Sequence, residues 1–135
     1  MPLAKELTIR LEDRPGTLAN VCRALADRKV NIVAFQSVPS EGKGLVRFIA
    51  DNPGLAKKVL DNLGLSYEEM NVVQAKLPHW SGALARAASR LGDADININY
   101  GYCGVDSSTN APVLIFGVEE AEQAAAILDR TAAAA

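Results

Sequence analysis

Residues 13–32 read DRPGTLANVCRALADRKVNI, and a related stretch, HWSGALARAASRLGDADINI, follows 66 positions later at residues 79–98. Between residues 16 and 32, seven of 17 positions are identical without a gap. Helix composition explains the shared Ala and Leu, but not the Gly before the helical stretch or the Asn-Ile after it. The chain is therefore predicted to contain an internal duplication. The matched pairs are Gly16/Gly82, Leu18/Leu84, Ala19/Ala85, Leu25/Leu91, Asp27/Asp93, Asn31/Asn97 and Ile32/Ile98.

The first repeat is predicted to be a β-α-β-β-α unit. Apolar residues alternate over residues 7–11, which indicates a strand, and an apolar stripe of helical period follows the first Gly. Residues 30–38 and 45–50 are rich in branched side chains and enclose turn residues, which predicts a hairpin. A second helix is expected to begin after Asn52, a capping residue, and to end before Gly64.

The second repeat is predicted to follow the same order. Its elements are expected to be a strand at 71–77, a helix at 84–91, strands at 96–102 and 113–118, and a helix at 121–128, with residues 131–135 frayed.

Two such units predict an α+β fold of ferredoxin-like repeats, with an antiparallel sheet and the helices on one face. The strand at 71–77 ends one repeat and opens the other, so both repeats are expected to share it, and residues 5–11 are expected to be shared by symmetry. The two shared strands would pair at the centre of a continuous six-stranded sheet. The repeats are placed at residues 1–69 and 70–135.

Composition restricts the classes of function. The chain has 14 Lys and Arg against 16 Asp and Glu, a formal charge of −2, so no basic surplus favours nucleic acid as a partner. No apolar stretch approaches the ~20 residues that cross a membrane, and the polar start predicts no signal peptide. A cytoplasmic protein without a membrane partner is expected. Cys22, Cys103 and the single His79 form no metal-binding pattern, so neither a metal nor a cofactor is predicted.

The motif at residues 13–18 resembles that of the ACT domain, a small regulatory module that binds amino acids. The resemblance rests on Asp-Arg-Pro-Gly-Thr-Leu between a strand and a helix, with Val30-Asn31-Ile32 opening the next strand. The second repeat keeps Gly82, Leu84 and the Asn-Ile pair but departs from the Asp-x-Pro-Gly pattern. The resemblance implies a tandem ACT protein.

A candidate ligand site follows from these loops. A Gly at the turn from strand to helix lets backbone N–H groups point outward at the positive end of the helix, which suits a carboxylate. The amide of Asn31 offers both a donor and an acceptor. In ACT domains, the loop and the start of the second strand line the site together. The resemblance therefore implies ligand-binding roles for Asp13, Arg14, Pro15, Gly16, Thr17, Leu18, Asn31 and Ile32, and for His79, Trp80, Ser81, Gly82, Ala83, Leu84, Asn97 and Ile98.

Each of these groups also has a structural interpretation. The two Gly residues could serve only the turns, and the two Asn residues could only cap the backbone where a strand begins. His79 and Trp80 are expected to form a partly buried corner, and Arg14 to be solvated.

Three functions are compatible with the sequence. The first is a non-catalytic regulatory protein that binds an amino acid at interfaces between ACT units, with a homodimer favoured because symmetric modules tend to pair. The second is a regulatory subunit that docks on a separate enzyme of amino-acid metabolism. The third is a small enzyme that uses Cys103, His79 or Arg14. The lack of a catalytic motif and the two similar loops favour binding over turnover.

Overall fold

The structure is a computed structural model that describes residues 3–78, 80–106 and 108–134. The order of its strands and helices is the one predicted above, and the mixture of helices with antiparallel strands is confirmed. The elements are β1 (Leu3–Glu12), α1 (Thr17–Asp27), β2 (Ile32–Ser40), β3 (Lys43–Ala50), α2 (Pro53–Asn62), β4 (Tyr67–Ala75), α3 (Ala83–Asp93), β5 (Tyr100–Val105), β6 (Pro112–Gly117) and α4 (Ala121–Ala134).

The chain divides into two compact units. The first unit is Lys5–Met70, and the second unit is Asn71–Ala135 together with Met1–Ala4. Both boundaries fall inside strands, because β1 and β4 each begin in one unit and continue in the other. Leu3 packs against the core of the second unit, whereas Tyr67 packs against the core of the first.

In the first unit, the strands lie in the order β1-β3-β2 and all pair antiparallel. The β2–β3 hairpin closes through Glu41 and Gly42, which both have positive φ as a tight two-residue turn requires. One face of the strands forms the core with α1 and α2, so both helices cover the same face. The fully buried side chains of this core include Leu7, Ile9, Phe48, Leu25 and Leu60.

In the second unit, β6 pairs antiparallel with both β4 and β5. The core is built from one face of β4 and β6 and from the apolar stripes of α3 and α4. Its most buried members include Val73, Ala87, Leu91, Ala124 and Leu128. This core is richer in Ala than that of the first unit, which lets the helices approach the strands closely.

Several predicted boundaries of strands and helices are wrong. β4 begins at Tyr67 rather than at residue 71, because exposed Glu68 and Glu69 conceal the strand pattern. β5 begins only at Tyr100, because its antiparallel partner is Gly117, the last residue of β6, and residues 96–99 lie beyond the end of β6. α4 continues to residue 134 where fraying was expected, as the high helix propensity of Ala predicts.

Two larger expectations are not confirmed: the tandem repeat, and one continuous sheet with shared central strands and four helices on one face. Among the helices of the described residues, none is long and apolar enough to cross a membrane.

Candidate functional site

The loop between β1 and α1 turns sharply at Gly16. This residue has φ +92° and ψ −16°, a left-handed conformation that a side chain would strain. It is the N-cap of α1, and its carbonyl accepts the first helical hydrogen bond, from Asn20 N–H at 3.0 Å. No side chain caps the helix. Gly16 therefore has a structural role in the turn, and the N-terminal end of α1 has no side-chain cap.

The first turn of α1 presents unused donors. In the described structure, the N–H groups of Leu18 and Ala19 have no hydrogen-bond partner, because the carbonyls four residues before them lie in the loop and point elsewhere. They lie at the positive end of the helix, where a carboxylate is stabilised. The geometry can therefore hold an anionic group at this position.

Other groups of the loop are used to hold its shape. The Thr17 hydroxyl lies 2.9 Å from the Glu12 carbonyl and 3.1 Å from the Arg14 carbonyl, so it closes the loop on itself. Arg14 Nε donates to Glu12 Oε2 at 2.6 Å. That bond and the Arg14 charge lower the pKa of Glu12, with a smaller contribution from Lys43. Arg14 is solvated as expected, but it has an acidic partner. Asp13 and Pro15 are exposed.

Asn31 lies just before β2. Its N–H donates to Asp51 Oδ1 and its carbonyl accepts from Asp51 N–H, both at 2.9 Å, so its backbone ties the start of β2 to the end of β3. Its amide is exposed and has no partner in the part of the chain that the structure describes. Ile32 is half-buried against the first core. The backbone is structural, while the side chain is available to a ligand.

The structure does not bring the two parts of this candidate site together within the first unit. Gly16 precedes α1 and Asn31 follows it, and an 11-residue helix is about 16 Å long. Leu18 and Ile32 both line a narrow apolar hollow beside Cys22 and Phe35, but the open N–H groups and the Asn31 amide lie at opposite ends of the helix. One small amino acid cannot reach both within one unit.

The loop before α3 repeats this backbone with different side chains. Gly82 has φ +94° and ψ −15° and is again an N-cap without a side-chain bond. Trp80 is 52% exposed, so the expected partly buried corner is wrong for this residue. Its ring packs over the Gly82 backbone and lies 6.0 Å from the Arg86 guanidinium.

The remaining predicted residues of the second loop have varied positions. Ser81 is exposed, Ala83 is buried, and Leu84 is 52% exposed. Asn97 is exposed with its amide donating to Asn99 at 2.9 Å, and Ile98 packs partly against the second core. His79 lies outside the described residues.

A cleft that sequence reasoning missed adjoins the first loop. It has a volume of about 490 Å³, and it is lined by loop residues Glu12, Arg14 and Thr17 and by Arg10 and Lys43 from the strands. The sequence predicts only a hairpin turn in the segment that contains Lys43. Alternation on β1 places Arg10 on the face opposite Leu11, but the position of Lys43 opposite Glu12 depends on the β1–β3 register. That register cannot be read from one sequence.

Two further polar features lie outside these loops. Asp106, in the loop between β5 and β6, pairs with Lys76 Nζ at 2.6 Å and accepts from Ser108 and Thr109. The Lys76 bond, followed by the Ser108 bonds, holds the pKa of Asp106 well below its usual range. Burial raises the pKa of the Cys22 thiol. Within the described residues, no three His, Cys, Asp or Glu side chains converge to hold a metal ion.

The family comparison identifies one segment of the chain. Residues 5–63 match the sequence model of the ACT domain, so an ACT domain is found in the first half. A comparison with curated protein sequences finds no match.

Solved structures resemble nearly the whole chain. Protein BT0572 from Bacteroides thetaiotaomicron is 26% identical with a TM-score of 0.83, over 96% of this chain and 88% of that one. The regulatory subunit of aspartate kinase from Thermus thermophilus is 20% identical with a TM-score of 0.62, over 96% and 91%. The corresponding subunit from Thermus flavus is 18% identical with a TM-score of 0.62, over 96% and 92%. The similarity to the two Thermus structures shows that this chain has the same fold.

Proposed function

We propose that this chain is a non-catalytic regulatory protein that binds a small amino acid through the loop between β1 and α1. The observation that carries the proposal is the pair of open N–H groups, on Leu18 and Ala19, behind a left-handed Gly16 in a segment that matches the ACT domain. These donors suit the α-carboxylate of the ligand. The amino acid itself is not specified by this geometry.

The ligand is proposed to lie between two copies of the chain in a homodimer. The open N–H groups and the Asn31 amide lie at opposite ends of α1, so one copy would supply the loop and its partner the amide. The amide would bond the ammonium or side chain of the ligand. Binding would then favour assembly, because the complete site exists only in the dimer.

The second half is proposed to be a second ACT repeat, which gives a tandem protein with repeats at 1–69 and 70–135 and a shared strand near 71–77. Three correspondences at an offset of 66 support this. α1 and α3 each have 11 residues, their N-cap Gly residues have nearly the same φ and ψ, and Lys29 and Asp95 beyond their ends have φ of 60° and 61°. Recurrence of three separate backbone features is a signature of duplication.

A cytoplasmic location belongs to the same proposal. Cys22 and Cys103 are both free in the structure, as is usual for proteins kept in a reducing compartment.

A second candidate function is docking on a separate enzyme of amino-acid metabolism. It is favoured by the names and sizes of the Thermus structures, which are regulatory subunits of aspartate kinase matched over most of their length. Affinity purification from cells that express the tagged full chain would recover such an enzyme. Both proposed functions are correct if binding of the amino acid changes the association of this chain with the enzyme.

The test is thermal unfolding of the purified chain against each standard amino acid, followed by titration calorimetry and sedimentation of the best ligand. A ligand at about 100 times its Kd stabilises the native state by about 2.7 kcal/mol and raises the Tm. Asn31→Ala is expected to weaken binding without changing the Tm of the free protein. Asn62→Ala, at the exposed end of α2, is the matched control.

A second pair of variants separates strain from binding. Gly16 and Gly64 both have positive φ with no atom near an added Cβ, so Ala strains both backbones similarly. Only Gly16→Ala should also weaken ligand binding. If no amino acid at millimolar concentration raises the Tm, docking remains as the proposed function. If Gly16→Ala and Gly64→Ala lose the same amount of ligand affinity, a binding role for this loop is contradicted.

A further inference from the structure

The cleft beside the first loop carries an excess of positive charge. Arg10, Arg14 and Lys43 contribute three cations, and Glu12 contributes one carboxylate, so the sum is +2. Glu12 is already paired with Arg14. In the described part of the chain, neither the Arg10 guanidinium nor the Lys43 ammonium makes an ion pair or a hydrogen bond, although the Lys43 charge contributes to the lowered pKa of Glu12. Two cations are therefore available to an anion.

The strand register places these charges together. Arg10 and Glu12 are two residues apart on β1 and share a face, and Lys43 is the direct cross-strand partner of Glu12. Leu11, which also lines the cleft, points to the opposite face. The cleft therefore runs around the end of β1, with cations on one side.

The other side of the cleft is apolar. Leu11 and Val21 belong to the buried core, and Leu63 and Leu65 extend the same surface from the end of α2. Leu63 is 44% exposed. A volume of about 490 Å³ lies within the range of small-molecule sites, about 300–1,000 Å³. A ligand that fills it would bury an apolar body against these side chains.

The corresponding positions of the second half do not form such a surface. At an offset of 66, Lys76 replaces Arg10, but its ammonium is paired with Asp106 at 2.6 Å. Trp80 takes the place of Arg14. Extended by three residues, the β4–β6 register gives the uncharged Ala111 the position that Lys43 has beside β1. The unpaired cations therefore occur in the first half and not at the corresponding positions of the second half, although both halves have the same strand-loop-helix backbone.

We propose that this cleft is a second ligand site beside the loop that carries the proposed amino-acid site, and that it binds a small organic dianion with an apolar body, a phosphate monoester or a dicarboxylate. The anionic head bonds to Arg10 and Lys43, whose combined charge it neutralises. The body lies on Leu63 and Leu65. The Glu12–Arg14 pair stays intact beside the head and excludes ligands that carry additional negative charge.

The test uses three probes in low-salt buffer: phenyl phosphate, phenylsuccinate and inorganic phosphate. Thermal shift and titration calorimetry on the full chain should show binding of one or both phenyl compounds, and the tighter one identifies the head group. Inorganic phosphate should bind at least about tenfold more weakly, because it buries no apolar surface.

Variants on each side of the cleft locate the binding. Arg10→Gln and Lys43→Gln should each weaken the tighter phenyl compound about tenfold, as expected for a lost charged hydrogen bond. Leu63→Ser should weaken the phenyl compounds but not inorganic phosphate. Lys58→Gln, an exposed cation of α2 outside the cleft, is the control and should change nothing.

Three results would overturn the proposal. The first is that neither phenyl compound binds at a concentration of about 100 times a typical micromolar Kd. The others are that the wild type and Arg10→Gln bind the phenyl compounds with equal affinity, or that inorganic phosphate binds as tightly as the phenyl compounds. None depends on an amino acid binding at the loop, and Asn31→Ala should leave the affinity for these probes unchanged.

Discussion

At the scale of single residues, Gly117 is required by an aromatic side chain rather than by its backbone. It pairs with Tyr100 across β5 and β6, and a Cβ at this position would overlap the Tyr100 ring. That ring also stacks on Tyr102, with centroids 6.5 Å apart and planes at 7°. The sequence around Gly117 does not indicate this contact, because the contact depends on the pairing of β5 with β6.

We therefore expect Gly117→Ala to lower the free energy of unfolding by about 1–3 kcal/mol, the usual cost of overpacking. Denaturant unfolding measures the change. Replacing Tyr100 by Ala in the same chain should remove most of the additional cost, since the overlapping ring is gone. Gly92→Ala is the control: an added Cβ there meets nothing, and Ala favours the helix, so stability should rise slightly. A Gly117→Ala chain as stable as the wild type would contradict the contact.

The residue scale also shows which individual predictions were secure. The turns at Gly16 and Gly82 could be anticipated, because a Gly between a strand and a helix indicates a turn, and the structure shows that both residues are left-handed N-caps. The exposure of Trp80 could not, because burial depends on which distant side chains approach it. The hydrophobicity of a residue indicates only its preference for burial, and the fold decides whether it is buried.

At the scale of elements, one ion pair ties the loop after β5 to the segment that follows β4. Asp106 is held by Lys76 and by bonds from Ser108 and Thr109. These contacts lower the pKa of Asp106 in the folded protein, with the Lys76 bond as the largest cause. A lowered carboxylate pKa stabilises the fold above the unfolded value of about 3.9, and that stability is lost as pH falls toward the folded value.

The wild type is therefore expected to lose Tm more steeply than Asp106→Asn between pH 5 and pH 3, a window of about two pH units around the unfolded pKa. At pH 7 the variant should be the less stable protein. Glu119→Gln, an exposed carboxylate before α4, is the control and should keep the wild-type pH dependence. Parallel Tm curves for wild type and Asp106→Asn would exclude a stabilising role for the pair. High salt should reduce the difference, because Lys76 is half exposed.

The elements themselves differ in how well periodicity predicts them. α1, α2 and α3 have strong apolar stripes bounded by Gly or Asn, and their positions follow from local sequence. The start of β5 was misplaced by four residues, because a run of alternating Ile and Asn fits a strand locally. Whether it pairs depends on a partner strand, and β6 ends at Gly117, opposite Tyr100.

At the scale of the whole molecule, β1 and β4 each belong to both compact units. Leu3 at the start of β1 packs on the second core, and Tyr67 at the start of β4 packs on the first. A cut at residue 70 would divide β4 just before the fully buried Val72 and Val73. Strand sharing, as proposed, makes each unit incomplete without the rest of the chain.

A chain truncated after residue 70 is accordingly expected to unfold without a cooperative transition or to self-associate. Circular dichroism melting and sedimentation measure these properties, with the full chain at the same concentration as the control. A monomeric fragment that melts cooperatively near the Tm of the full chain would contradict strand sharing, and would show that the first unit is an independent domain.

The sequence by itself determined the order of the elements, the class of fold, the two Gly turns and the resemblance to the ACT domain. These depend on local periodicity and on backbone conformations that few residues adopt, so they can be read from neighbouring residues. Only the tertiary structure decided that Arg10 and Lys43 share a cleft. That arrangement comes from the β1–β3 register, which pairs residues distant in the chain, and one shifted pairing would separate the two side chains.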